Sequence, residues 1–489
     1  MGLLKTGIKG VAWTTVSVVT RSIVSMLQIT ILTKLLVKSD FGIVAIASLF
    51  IGFTQIFLDL GISTGIMHKQ DTTAEQYSSL FWLNIMTGGI LTTILCTFVA
   101  PVAARMYNEP ILVKILSLLS LTVFFSSLGA QHRTMQQKEM RFHYISMVEI
   151  SSSILTFLVA VLLAKSGFRV FSLVYSTLFN AVYSNMVFLI IGLSKDRNLS
   201  FHFNFIETIP FLKIGLYSVG AHILDYFSRE IDTIIISAAF GKETLGLYSL
   251  CKKIVQMLYG ITNQILVKVI TPIFAKIQND IDVITNTYYD IIESISLANF
   301  PIYFLIAIFA KGTLNFLYGS QYQDGALLLS LLAIHLGSLS SASPTGCLQI
   351  SLGRTDVGFY WTIIRIFLNS LATYIGSRFS IEGIVLSLFI IVKIITPISW
   401  WITVRPLIGG KFFEYFMKSF KPLCFAALLS LPYYYLFNSE INIVKMVLIS
   451  CVYMTMYIVL IFVLFRQASI VKMLKYQIFS HIFKNKENM

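Results

Sequence analysis

The segment HILDYFSREIDTIII, residues 222–236, places His222, Asp225, Arg229, Glu230 and Asp232 in an otherwise apolar run. Asp225 and Arg229 are spaced i,i+4, and Arg229 and Asp232 i,i+3; both spacings allow ion pairs along one helix. At about 100° per residue, Ser218, His222, Asp225, Arg229 and Asp232 share an arc of ~80°, and Glu230 points away from it. Such a stripe supports two chemistries. Its carboxylates can take up protons or sodium ions. Its guanidinium can meet an anion, phosphate above all, through two parallel N–H donors.

Further ionisable residues in the apolar runs include Arg21, Asp59, Glu149, Arg365 and Lys393, alongside Lys252, Lys253, Glu293 and His335. Charge at bilayer depth is costly, so these side chains are expected to face a bundle interior or a water-filled cavity. Arg21 lies some ten residues from the nearer end of its run. That is ~15 Å at about 1.5 Å per residue, further than an arginine comfortably snorkels. Arg21, Arg229, Arg365 and Lys393 are the expected substrate-binding cations. Asp59, Glu149, Asp225, Glu230 and Asp232 are the expected ion-coupling or pairing groups. Asp59 equally reads as a helix-end cap, because Gly61 follows it. Glu149 equally reads as the partner of an arginine in its own half.

The elements that hold these residues follow from composition. Of 489 residues, 56% are hydrophobic and 12% charged, about half the charged fraction of a soluble domain. Mean hydropathy is +0.78. A chain of this size with so few charges is an integral membrane protein. A span needs roughly 20 mostly apolar residues. Runs of that length recur near 11–36, 41–66, 78–104, 111–131, 143–166, 168–193, 211–240, 245–275, 288–317, 324–350, 357–377, 381–403, 415–437 and 443–465, about fourteen helices. Pro272, Pro301 and Pro344 interrupt the eighth to tenth. The runs are too long and too uniformly apolar for a β-barrel. The first is too long for a signal peptide and no small-residue cleavage site follows it, so it reads as a retained helix. The five cysteines all fall within spans, with no paired spacing and no histidine cluster beside them, which indicates neither disulfides nor zinc.

Lysine and arginine concentrate in one set of short loops, which places both termini in the cytoplasm. The +14 net charge largely resides there, and no basic soluble domain exists that would bind nucleic acid.

An internal repeat is visible at an offset of 204: Lys9 falls on Lys213, Ile31 on Ile235, Lys38 on Lys242 and Gly42 on Gly246. The expected organisation is an all-α polytopic protein with two pseudo-symmetric six-helix lobes around a central cavity. Residues 1–193 form the first lobe, 194–210 a cytoplasmic linker, and 211–403 the second lobe. Residues 404–489 add two transmembrane helices and a basic tail. Parallel repeats of this kind recur in transporters, with the substrate near the bilayer midplane.

Several segments resemble a known family. FGIVAIASLFIGFTQIFLDLG (41–61), LFWLN (80–84), Ala100-Pro101 and KEMRF (138–142) carry the resemblance in the first half. SREIDTIIISAAFGKETLGLYSL (228–250), Pro272 and QISLGR (349–354) carry it in the second. They are similar to the polysaccharide-export branch, colanic-acid-exporter-like flippases, of the multidrug/oligosaccharidyl-lipid/polysaccharide exporter superfamily, over roughly residues 5–400. The resemblance implies a bacterial inner-membrane flippase. It would move undecaprenyl-diphosphate-linked oligosaccharide repeat units by alternating access, for O-antigen, capsule or exopolysaccharide synthesis. Its expected partners are that glycan lipid, membrane lipids, and a polymerase or other assembly proteins. No cofactor is implied beyond candidate proton or sodium coupling.

Three alternatives remain open. An ion-coupled multidrug exporter shares the fold, but cationic drugs favour an acidic, aromatic cavity. A peptidoglycan-precursor flippase matches the helix count, but the export-branch segments point elsewhere. A membrane polysaccharide polymerase usually carries a large external loop, and every expected outside loop here is short. No phosphate loop, zinc motif or nucleophile elbow is present, so the chain reads as a transporter rather than an enzyme.

Overall fold

The computed structural model describes residues 2–69, 72–195, 200–437 and 443–465. The protein is all-helical and multi-pass. The first stretch of chain forms α1 (Gly2–Leu32), α2 (Lys38–Asp59), α3 (Ile62–His68), α4 (Ala74–Ile94), α5 (Ala100–Met106), α6 (Ile111–Lys138), α7 (Phe142–Lys165) and α8 (Val170–Lys195). The middle forms α9 (Phe205–Ala239), α10 (Gly241–Ile277), α11 (Ile281–Ile308), α12 (Ala310–Tyr318), α13 (Ala326–Ser341) and α14 (Pro344–Ser351). The remainder forms α15 (Thr355–Ser377), α16 (Ile381–Thr403), α17 (Arg405–Ile408), α18 (Phe412–Phe437) and α19 (Ile443–Leu464).

Among the described residues, ten segments are long and apolar enough to cross a membrane. Four more of the expected spans are also long helices, α9, α10, α15 and α18. Each carries charged residues in its interior.

Only one of the three expected proline interruptions coincides with a helix end. Pro272 and Pro301 lie inside continuous α10 and α11, whereas Pro344 opens α14 at its first turn. In the third span, α4 passes through a π-turn at Leu95–Val99 into α5. Pro101 has no N–H to give to the Thr97 carbonyl four residues earlier, and the widened turn absorbs the mismatch.

The second span is two helices. Leu60 and Gly61 both take positive φ, 45° and 73°, so α2 stops at Asp59. A side chain on Gly61 would overlap the backbone of Gly215 in α9. Glycine is needed here twice over, for the left-handed turn and for the close approach.

The chain divides into two compact units, residues 1–250 and 251–489. In the first, α1 packs on α7, α6 on α4 and α8, and α9 on α2, α3 and α4. Phe211 of α9 is fully buried with Ile62, Ile66 and Leu80. In the second, α11 packs against α13 and α18, and α15 pairs with α16. One of its apolar cores gathers Phe274, Tyr288, Trp400 and Tyr415, and Tyr288 shares a 2.8 Å hydrogen bond with Thr345.

Candidate functional site

Within the first unit, Arg21 is part of a three-residue ion cluster. Its Nη1 donates to Glu149 Oε2 at 2.8 Å, Arg133 Nη2 donates to Glu149 Oε1 at 2.8 Å, and Ser17 Oγ donates to Glu149 Oε2 at 3.2 Å. The donors come from α1 and α6, and α7 supplies the acceptor. Both guanidinium side chains are 48% exposed and the glutamate 15%, so one carboxylate is enclosed while two cations present open faces. The cluster carries one net positive charge. A carboxylate with an arginine on each oxygen holds both planar groups in fixed orientation and leaves their remaining N–H donors for an anion.

Sequence reasoning expected Arg21 and Glu149 but placed Arg133 in a cytoplasmic loop. The apolar run ends near Ala130, yet α6 continues through QHRTMQQK to Lys138. The signal for this was the helix-forming character of that stretch rather than hydropathy.

The α9 stripe divides its work. Arg229 Nη2 pairs with Asp225 Oδ2 at 2.7 Å, and the Arg229 side chain is 71% exposed. Asp232 accepts from the hydroxyl of the fully buried Tyr248 and from the Thr233 backbone N–H. Glu230 accepts from Thr233 Oγ1 at 2.9 Å. All three carboxylates are therefore engaged. Asp59, expected as a coupling group or a cap, has the geometry of a cap: it accepts from the Ser63 N–H at 3.1 Å and the Ser63 hydroxyl at 2.6 Å across the α2–α3 break.

In the second unit, Arg365 and Lys393 belong to the α15–α16 hairpin. Gly376 and Gly383 meet near its turn, and Ser387 Oγ donates to the Ala372 carbonyl at 2.7 Å. Arg365 and Lys393 each lie twelve residues from the hairpin end of their helix, so both stand ~18 Å from the turn. Both are half-buried. The Lys393 ammonium sits 5.5 Å from the Phe389 ring centroid, and no carboxylate lies within ion-pair distance of it among the described residues. The sequence-predicted cations thus fall into two groups: Arg21 with Arg229 in the first unit, and Arg365 level with Lys393 in the second.

A further buried charge lies at the terminal helix pair. Lys418 of α18 meets Glu293 of α11 at 2.6 Å and Asp290 at 3.6 Å.

The linker preceding α9 is strapped onto α4. Ser78 Oγ accepts from the Ser200 N–H, Ser79 Oγ accepts from the Asn204 N–H, and Trp82 Nε1 donates to the Ser200 carbonyl. The Phe201 ring stacks on Trp82 at 5.4 Å. Asn204 caps α9 through the Ile206 N–H. Hydrogen bonds, from His202 first and then Ser79, hold the Glu207 carboxyl below the usual glutamate range.

Comparison with known proteins agrees with this architecture. The family model described as "Polysaccharide biosynthesis protein" matches residues 31–326. Lipopolysaccharide biosynthesis protein WzxC of Escherichia coli K12 is 24% identical over 434 residues, covering 88% of this chain and 87% of WzxC. Teichuronic acid biosynthesis protein TuaB of Bacillus subtilis 168 is 26% identical over 353 residues, covering 72% of each chain. Among solved structures, the lipid II flippase MurJ in an inward closed conformation superposes with a TM-score of 0.73. It covers 90% of this chain and 97% of MurJ at 14% identity, and so shows the shared fold. An all-helical membrane chain with this fold and this match belongs to the polysaccharide biosynthesis protein family, in the polysaccharide exporter branch of the multidrug/oligosaccharidyl-lipid/polysaccharide exporter superfamily.

Proposed function

We propose that this protein is a flippase. It carries undecaprenyl-diphosphate-linked oligosaccharide repeat units from the cytoplasmic to the outer leaflet of a bacterial cytoplasmic membrane, by alternating access and with no chemical step. Both termini are cytoplasmic, and the product feeds a surface polysaccharide, as the names of WzxC and TuaB suggest for those proteins. The observation that carries the reading is the Arg21–Glu149–Arg133 cluster, whose two guanidinium groups are fixed by one largely enclosed carboxylate and remain half exposed.

The cargo has an apolar tail, a diphosphate and a glycan. The tail can stay in lipid, but the diphosphate must cross with its charge masked. Guanidinium groups bind phosphate oxygens bidentately, so Arg21 and Arg133 receive the diphosphate or an acidic sugar. Arg229 adds a further exposed cation in the first unit, and Arg365 and Lys393 are the candidate cations of the second. This excess of cations is the wrong polarity for a cationic drug. Proton or sodium coupling through Asp225, Glu230 and Asp232 would have to break the contacts that engage them, and Asp59 would have to give up its cap.

Deletion of the gene, followed by mass spectrometry of extracted lipids, tests the function. An isoprenoid-diphosphate glycan is expected to accumulate and to disappear on complementation. Unchanged lipid-linked intermediates in cells that have lost surface polysaccharide would reject it.

A further inference from the structure

Glu75, His202 and Glu207 lie together, with one ligand atom from each within 4.8 Å of the others. Glu75 comes from the first turn of α4, His202 from the linker and Glu207 from the first turn of α9. We propose that these three side chains form a binding site for a divalent transition-metal ion of the zinc class, which ties the start of α9 to α4.

The donor set is one imidazole and two carboxylates. Imidazole selects against calcium and magnesium, and the mixed nitrogen–oxygen set suits zinc and its neighbours, with water filling the open position. Ligand atoms at zinc bond lengths lie roughly 3.4 Å apart in a tetrahedron. His202 Nε2 and Glu207 Oε1 are already 3.0 Å apart. Glu75 lies within 4.8 Å of both, is exposed, and makes no side-chain hydrogen bond or ion pair among the described residues.

The supporting residues are set independently of any ion. A capping box of Thr73 and Gln76 fixes the α4 terminus. Ser78, Ser79 and Trp82 hold the strap that bears His202, and Ser79 donates to Glu207 Oε2 at 2.8 Å, which orients that carboxylate. Ligating carboxylates are ordinarily oriented by such outer hydrogen bonds. Acidic residues also favour a helix N-terminus without any metal. That explains Glu75 and Glu207 singly, but not their convergence on a histidine from a third segment.

The test uses the full chain, tag-free, in detergent, stripped with chelator and titrated with Zn²⁺ against a chromophoric competitor; Co²⁺ serves as the spectroscopic probe. Expected are one Zn²⁺ per chain, ligand-field bands of low coordination number with Co²⁺, and a rise in melting temperature on Zn²⁺ addition. Glu75→Gln and His202→Gln are each expected to weaken binding at least about tenfold and to abolish the thermal shift. Glu75→Gln removes no contact of the metal-free protein, so its melting temperature without Zn²⁺ should equal wild type and its result stands even if His202→Gln misfolds. Binding that survives Glu75→Gln undiminished, or no binding by wild type at micromolar Zn²⁺, overturns the proposal and leaves the cluster as a plain ion pair.

Discussion

Gly42 and Gly246, 204 positions apart, make the same contact from opposite sides. A Cβ on Gly42 would overlap the Lys242 carbonyl oxygen, and a Cβ on Gly246 would overlap the Lys38 carbonyl oxygen. Lys38 and Lys242 are themselves equivalent at that offset. Small residues let membrane helices approach at backbone distance. The crossing is flanked by Lys242–Glu109 at 2.6 Å and by Tyr107–Ser237 at 3.0 Å.

Gly42→Leu and Gly246→Leu are each expected to lower the melting temperature of the purified protein, by an overpacking cost of about 1–3 kcal/mol, and to reduce export. Because both strain one crossing, the double variant should cost clearly less than the two single effects added together. Thermal unfolding of all four proteins measures this; strict additivity would show that the two contacts are independent.

The Arg21–Glu149–Arg133 cluster separates binding from folding. Arg133→Gln leaves Glu149 still paired with Arg21 and should leave expression near wild type while lowering export by about tenfold, roughly 1.4 kcal/mol. Arg21→Lys keeps the charge but loses the planar fork, and export should fall by a similar factor. Glu149→Gln leaves two cations side by side and should destabilise the protein as well. Export assays normalised to membrane protein level distinguish the three outcomes.

Lys393 is a half-buried cation without a carboxylate partner among the described residues, so stability and function should diverge there. Lys393→Met is expected to raise the melting temperature, since it removes an uncompensated charge from an apolar setting, and to lower export. A drop in both would mean that Lys393 is structural.

Lys418 should behave in the opposite way. Its pairing with Glu293, 11% exposed, makes Lys418→Gln destabilising by about 1–3 kcal/mol through an unpaired buried carboxylate. Glu293→Gln in the same chain should recover much of the loss. Thermal unfolding of the single and double variants provides the check.

Much of this was legible in the sequence because lipid imposes simple rules. Long apolar runs located the helices, and the 204-residue offset found Lys38, Gly42 and their equivalents before any contact was known. The stripe on α9 was visible from helical spacing alone. What remained hidden lay in side-chain pairing across distant segments. Arg133 sat beyond the end of an apolar run, so hydropathy assigned it to a loop, although the helix carries it back to Glu149. The left-handed pair Leu60–Gly61 divides an unbroken apolar run, and only Gly61 beside Asp59 hinted at it. Glu75, His202 and Glu207 converge from three segments, and no local spacing announces that.

The most direct measurement is translocation by the purified protein. Lipid-linked glycan extracted from the deletion strain would be reconstituted with the protein in proteoliposomes, and its exposure followed with an impermeant glycan-modifying enzyme. Wild type is expected to move inner-leaflet glycan lipid to the outer leaflet well above protein-free vesicles, and Arg21→Gln and Arg133→Gln to do so at least about tenfold more slowly. Exposure equal to that of protein-free vesicles, or variants as fast as wild type, would contradict the flippase account and its arginine site respectively.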